Sequence, residues 1–360
     1  MVNTLIDKTY QLSTINYQLS TIMNGLIVFI GLFFILYIGQ KIFIPLIVAV
    51  FIWYLLNAIA AYYHKIMPWR KSWFAGAMSF FLSIATFGAL VYFFVTQIHP
   101  AIVGMMGRIP DIQLKLGALQ TYLSAQFGVH LGTDWIPSTS QILGTVGAFA
   151  TQFSAAFGLV LVYILFMYIE QSTFGKKFTA MFPDKRRSHK MLYIMQSIDA
   201  NMKRYMFIKT AMSALTAGTA WIWMHFWGLE FAGVWAFIIF ILNYIPTFGS
   251  IISIALPVLY SLLIAPSAEM PIAIASGLIG LNILIGNILE PRLTGKTLNL
   301  STLAILINLV FWGMIWGPAG MFFSVPLLVA TFIITAQFDS TRWIAVLLSA
   351  NGEIPNKEDD

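Results

Sequence analysis

Apolar residues run almost unbroken through Gly25 to Gly39, Phe43 to Ala61, Phe74 to Thr96 and Leu278 to Leu289. Charge-free runs approaching the roughly 20 residues of a bilayer crossing read as membrane helices, not as the one-sided stripe of a helix lying on a water-soluble core. Crossings fit at about 24 to 40, 43 to 62, 73 to 97 and 146 to 169. Beyond residue 208 the apolar segments shorten. Segment 232–245 stops at Pro246 and segment 250–264 opens after Gly249; at about 1.5 Å per residue each reaches some 21 to 23 Å, short of a hydrocarbon core of about 30 Å. A fuller span follows at 271–289. Then an arm from Leu303 to Trp316 breaks at Gly317, Pro318 and Gly320, and a second arm contains Pro326.

Two broken hairpins thus flank a spanning helix, with Pro246, Gly249 and Pro257 of the first answered by Pro318, Gly320 and Pro326 of the second. Paired interruptions point to a transporter binding site, because irregular backbone at membrane depth survives only where protein or a wet cavity satisfies its amides. The plainer alternative is two short helix pairs joined by tight turns. Between residues 98 and 145, Pro100, Pro110, Pro137 and several glycines are expected to interrupt any continuous span, although apolar residues recur at near-helical spacing in IQLKLGALQTYLSAQF. That segment reads as a periplasmic or interfacial helical stretch. The near-duplication YQLSTIN at 10–16 and YQLSTIM at 17–23 repeats one helical face, as an interfacial lead-in would.

The expected fold is therefore an all-α polytopic membrane protein of about eight transmembrane helices, with two broken or re-entrant helical hairpins in the C-terminal half. Its expected divisions are 1–97 (lead-in and three crossings), 98–145 (periplasmic segment), 146–207 (fourth crossing and basic cytoplasmic loop), 208–340 (transport core) and 341–360 (cytoplasmic tail).

Composition agrees: 59% of the residues are hydrophobic and 9% charged, against roughly a half and a quarter in soluble domains. No basic region followed by a short apolar run and a cleavage site marks a signal peptide, so the first crossing is expected to serve as the insertion signal. The chain has no cysteine, which excludes disulfides and thiolate metal sites. The net charge of +6 comes from blocks: His64, Lys65, Arg70 and Lys71; then Lys176 through Lys209; then Arg292 and Lys296. The positive-inside rule puts these blocks in the cytoplasm, and both termini with them, which suits a bacterial inner membrane and not a nucleic-acid partner. Lys41, Arg108 and Lys115 remain for the other side, beside Asp111, Asp134, Glu230 and Glu269.

Enzyme signatures are missing. The five histidines never stand four apart, no GxSxG elbow occurs, and Gly295, Lys296 and Thr297 imitate a phosphate loop whose first glycine is replaced by Glu290. Neither a cofactor nor a metal is expected. What stands out is a polar set within apolar sequence: Asn243, Asn282, Asn287, Glu290, Arg292 and Asn308. Asn offers donors and acceptors without charge, which suits a neutral, hydroxyl-rich ligand, or else ties helices together. Pro246 is expected to leave a carbonyl unpaired at the first tip, next to Thr247 and Ser250. Pro291 is expected to end its helix at Glu290, so that Glu290 and Arg292 pair with each other or with the hairpins; a solvated anchor is the alternative. The candidate transport residues are Asn243, Pro246, Thr247, Gly249, Ser250, Asn287, Glu290, Arg292 and Asn308.

The strings NYIPTFGS at 243–250, GNILEPRLTGKTLNLSTL at 286–303 and FWGMIWGPAGMFFSVPL at 311–327 resemble the autoinducer-2 exporter family, and its quorum-signal transport branch in particular. Many members carry a Pro-Tyr-x-Gly-Pro break where this chain has Pro246, Thr247, Phe248, Gly249 and Ser250. That variant places it nearer the signal exporters than the sodium/proton antiporters of the same family. The resemblance implies export of autoinducer-2, a small hydroxylated furanone-derived signal, with effects on quorum sensing and biofilm formation, by a homo-oligomer, a pentamer favoured. Residues 1–40 and 98–145 match poorly and carry nothing over. The alternatives are a sodium/proton antiporter, which would want a mid-membrane carboxylate other than Glu290, and a passive pore or scaffold.

Overall fold

The computed structural model describes residues 30–67, 72–128, 139–181, 184–294 and 299–354, together with Met23, Gly25, Ile27 and Val28. The near-duplicated lead-in up to residue 22, the Arg70–Lys71 pair and Gly295–Thr297 lie outside the described residues. After helical residues 30–38 come α1 (Gln40–Ile66), α2 (Trp73–Phe127), α3 (Thr139–Ala180), α4 (Lys185–Phe226), α5 (Ala232–Leu242), α6 (Phe248–Ile264) and α7 (Glu269–Asn282). A π-helical segment (Ile283–Leu289), α8 (Glu290–Thr294), α9 (Thr302–Ala336) and α10 (Arg342–Leu348) complete the chain. Among the described residues no strand forms, and the protein is an all-α polytopic membrane protein.

Helix starts follow capping chemistry. Ser72 accepts from the Phe74 amide at the head of α2, and Asp184 accepts from the Arg186 amide at the head of α4, each satisfying one orphan donor. Gly128 closes α2 at φ 65°, the left-handed conformation glycine takes without steric cost.

Two expectations are corrected here. The interruption at Pro100 and Pro110 does not occur: α2 runs 55 residues through both prolines, about 82 Å at the standard rise. Each proline removes one hydrogen bond, but buried Ala101 and Ile109 anchor the stretch, and Phe231 packs on Gly104, so tertiary contact holds the helix on both sides of the breaks. Nor is the basic stretch a loop. It lies on the ends of α3 and α4, which at 42 residues each reach about 63 Å and so project far beyond a bilayer core of about 30 Å. Lys177 pairs with Glu170 and Lys203 with Asp199 along these projections.

α4 is the spine. Its C-terminal half (Ala217, Ala220, Met224) shares a buried cluster with Trp235 and Ile239 of α5, Tyr260 of α6 and Ile274 and Leu278 of α7. Its N-terminal half (Met202, Met206) instead packs on Val325, Val329 and Ile333 of α9, with Phe51 and Tyr54 of α1 alongside. α1 also packs against α3 through Ala49, Leu56, Val160 and Ile164.

Both broken segments are hairpins. α5 and α6 are joined by a turn at 243–247, and Gly249 lies so close to the Leu242 carbonyl that a Cβ there would overlap backbone. α9, long enough on paper to cross a membrane, reverses at Gly317 (φ 60°, ψ −141°). Three pairings centred on residues 316–317 show the antiparallel return: Asn308 Nδ2 donates to the Ser324 carbonyl (2.6 Å), Gly313 faces Met321, and Gly320 abuts the Trp312 carbonyl. Pro318 then occupies the first turn of the return arm, where its missing N–H is no loss. The hairpins enter from opposite ends. The first has its base beside Gly228 and Glu230 at the C-terminal end of α4, whereas the second ends at Phe338, under the Lys190 ammonium at the basic end.

Candidate functional site

The tips meet midway along the spine. Tyr244, in the turn of the first hairpin, stacks on Phe322 of the second with ring centroids 4.6 Å apart. Phe51 of α1 stands edge-on to both, at 5.4 and 5.2 Å. Phe322 lies five residues past Gly317, so the second hairpin extends about 7 Å beyond the first tip. The two hairpins thereby overlap at one level of the protein.

Polar groups gather at that level on one face of α4. Asn243 donates from Nδ2 to the Ser213 hydroxyl (3.0 Å), and the Tyr244 hydroxyl donates to Thr210 Oγ1 (2.8 Å), which itself donates to the Met206 carbonyl (2.6 Å). Four residues from Ser213, on the same helical face, Lys209 Nζ donates to Glu290 Oε1 (2.6 Å). Both side chains are largely buried, 12% and 22% exposed. The result is a seam of hydroxyl, amide and paired charge, walled by the aromatic stack.

The candidate residues separate on this geometry. Asn243 lies in the seam. Pro246 and Thr247 form the apex and Ser250 begins the return; Thr247 is exposed and takes φ 59°, ψ −62°, the centre of a γ-turn closed by Phe248 N–H on the Pro246 carbonyl (2.6 Å). Positive φ in a β-branched residue stores on the order of 1–3 kcal/mol, a strain that collects at functional turns. The unpaired carbonyl expected at this tip is absent: Leu242 O accepts from the Ile245 amide (2.9 Å) and is covered by Gly249. Asn308 braces the second hairpin internally, and Asn287 is exposed on the π segment.

The expectation for Pro291 is also corrected. The chain stays helical through it to Thr294, because the π segment upstream absorbs the conflict: Glu290 N–H reaches back five residues to the Ile285 carbonyl. Glu290 and Arg292, two apart on a helix, face nearly opposite ways. Glu290 turns to Lys209 and Arg292 is exposed. Lys209, Thr210, Ser213 and Phe322 were missed by the sequence reading. The signal for Lys209 was present, since it alone of the basic block is flanked by the apolar run Met206–Ile208 and Ala211–Met212.

At the base of the first hairpin lies a second polar region, a recess of about 460 Å³ lined by Arg108, Asp111, Lys115 and Glu230 with the ends of α6 and α7. Glu230 accepts from Arg108 and from the Tyr260 hydroxyl (3.2 Å), tying α2 to the hairpin base. That carboxylate raises the Arg108 pKa further above its ordinary value.

The family model for AI-2E family transporters matches residues 26–340 of the chain. The chain is 31% identical to the AI-2 transport protein TqsA of Escherichia coli (strain K12), over 91% of this chain and 96% of that protein. It is 35% identical to a putative transport protein of Haemophilus influenzae over 54% of this chain and 56% of that protein, and 37% identical to the putative transport protein YhhT of Escherichia coli over 35% and 36%.

Proposed function

Because the chain belongs to the AI-2E transporter family, we propose that it exports autoinducer-2 across the bacterial inner membrane through the seam between the two hairpin tips. What carries the reading is the convergence of Tyr244 and Phe322 beside the Asn243–Ser213 and Tyr244–Thr210 hydrogen bonds. A small hydroxylated ring can exchange those neutral hydrogen bonds for its own while stacking on the aromatic wall, and no charge need be stripped of water. Support for this substrate over others comes from the likeness to TqsA across nearly the whole of both chains.

In this reading the basic ends of α3 and α4 are cytoplasmic, as are both termini, and the Glu230 end faces the periplasm. The first hairpin, whose strained tip touches the seam, moves relative to the second to expose the ligand alternately. Asn243, Thr247 and Ser250 contact ligand, Pro246 and Gly249 shape the turn, Asn308 keeps the second hairpin closed, and Asn287, Glu290 and Arg292 belong to the cytoplasmic mouth. The working unit is a homo-oligomer, a pentamer favoured.

The test is efflux from proteoliposomes loaded with autoinducer-2, with and without imposed pH and sodium gradients. Saturable efflux, weakened several-fold by Asn243→Ala or by Thr247→Ala with Ser250→Ala, is expected; ion exchange with no signal flux would transfer the chain to the antiporter reading. Cysteines introduced at Lys115 and Arg187 in the cysteine-free chain should label from opposite sides of intact cells, and labelling of both from outside would invert the topology.

A further inference from the structure

The Lys209–Glu290 pair closes a contact between residues 81 apart in sequence, and it does so at the end of the one π-helical segment among the described residues. A π turn carries an extra residue within an α-helix, is rare, and gathers at functional sites. Here its local cause is Pro291, whose ring would collide with the Asn287 carbonyl if the preceding turn were α. A helix can absorb a proline in two ways, by a π turn upstream or by a kink at the proline. The stretch Ile283–Pro291 is therefore an element with two arrangements, and only one of them is seen.

The arrangements differ in where they send Glu290. Restoring α geometry removes one residue's worth of turn, about 100°, from everything beyond Leu289. The body of α7 cannot follow, because Pro271, Ile274 and Leu278 are buried and Trp223 both donates to the Ala273 carbonyl and covers Gly277. The rotation falls on α8. Glu290 would swing about a third of a turn off α4, breaking its 2.6 Å contact with Lys209 and uncovering Lys209 at the basic end of the seam, next to Thr210 and Ser213, which stay bonded to Tyr244 and Asn243 of the first hairpin.

We infer that Lys209 is a positioning residue for transport: by pairing with Glu290 it locks the π form of residues 283–289 and keeps the seam closed toward the basic end of the protein, and release of the pair lets α8 rotate and open it. The inference deepens the transport reading above and rests on it for the meaning of opening, but not for the motion itself. Lys209 needs no contact with ligand in this role. Its ammonium has one partner among the described residues, Glu290, so the pair breaks and forms as a unit.

The test measures the motion without a substrate. In full-length protein in lipid nanodiscs, spin labels on cysteines replacing Phe207 of α4 and Leu293 of α8, both exposed, report the distance across the seam. The parent and Lys209→Arg should give one narrow distance. Lys209→Gln should add a second population displaced by about 5 Å or more, the sweep of a third of a turn on a helix about 10 Å across. The swapped pair Lys209→Glu with Glu290→Lys should return to one. Lys209→Met, which keeps the stem without the charge, carries the same comparison should the Gln variant not stay monodisperse. Efflux of autoinducer-2, read on the same proteins, should fall about tenfold in the Gln variant and recover in Arg and in the swap. A single parental distance in both Lys209→Gln and Lys209→Met would overturn the inference whatever the flux. Absence of flux from the parent would instead overturn the substrate, leaving the distance result to stand.

Discussion

The two hairpins use one plan with opposite mechanical settings. Each turns on a tight tip, and each opens its return arm with a glycine pressed on a carbonyl of the outgoing arm, Gly249 on Leu242 and Gly320 on Trp312. The second tip takes its positive φ at Gly317 and is tied by Trp316 Nε1 to the Leu36 carbonyl (3.0 Å). Its base is clasped by the C-terminal segment: Phe332 and Ala336 bury against Ala345, Ser301 N–H donates to the Leu348 carbonyl (2.8 Å), and Asn299 reaches Asn351 Oδ1 and the Glu353 carbonyl. The first tip spends strain on Thr247, and its base is held on α2 instead, by Phe231 packed on Gly104, by Met105 and Ile112 of the shared cluster, and by Glu230 on Arg108. The second hairpin is clasped by the C-terminal segment of the chain, whereas the first rests on α2, α4 and α7 and meets Phe322 at its tip. In the transport reading proposed above, the clasped hairpin is the fixed wall and the other the moving one.

The clasp should yield the largest effect. Deleting residues 342–360 uncovers Phe332 and Ala336 and removes the partly buried Leu348 and Ile354; the two removed side chains alone are worth roughly 3–6 kcal/mol at about 1.5–3 kcal/mol each. Thermal unfolding in nanodiscs should drop accordingly; an unchanged transition would mean that the second hairpin stands unaided and the contrast is lost. Next come Gly249→Ala and Gly320→Ala, where the new Cβ meets backbone that cannot step aside. Overpacking of this sort costs about 1–3 kcal/mol, and both variants should lose stability. If only one does, the tips are not built alike.

Smaller and of opposite sign, Thr247→Gly relieves the positive φ of the first tip and should stabilise by about 1 kcal/mol, whereas Gly317→Ala places a Cβ where φ is 60° and should destabilise by about 1–2 kcal/mol. Matched unfolding curves for the two variants would place the strain elsewhere. Last, the Arg108–Glu230 pair is about half exposed, and salt screens such pairs. Arg108→Gln should leave the unfolding temperature unchanged at high ionic strength; a large loss there would make the first hairpin as firmly based as the second.

Much of this was legible along the chain. Apolar run lengths gave the membrane class, and Pro246–Gly249 and Pro318–Gly320 marked both reversals, because a turn is a local event governed by the few residues that make it. The seam was half legible: Asn243 and Glu290 stood out as polar groups in apolar sequence, while Thr210 and Ser213 did not, since a hydroxyl in a helix gains meaning only from what faces it. Helix continuity through Pro100 and Pro110 was misread, because the contacts that hold α2 across them come from Phe231 and Glu230, more than a hundred residues away.

The sequence by itself determined the membrane class and where the chain must reverse, since those depend on hydropathy and on the φ limits of proline and glycine. Only the tertiary structure decided which hairpin is clasped, which asparagine lies in the seam and which braces an arm, and that Glu290 answers Lys209 and not its neighbour Arg292. Those outcomes rest on which faces meet, and a π turn that rotates a helix end by about a third of a turn reassigns the partner of a charge without altering a residue.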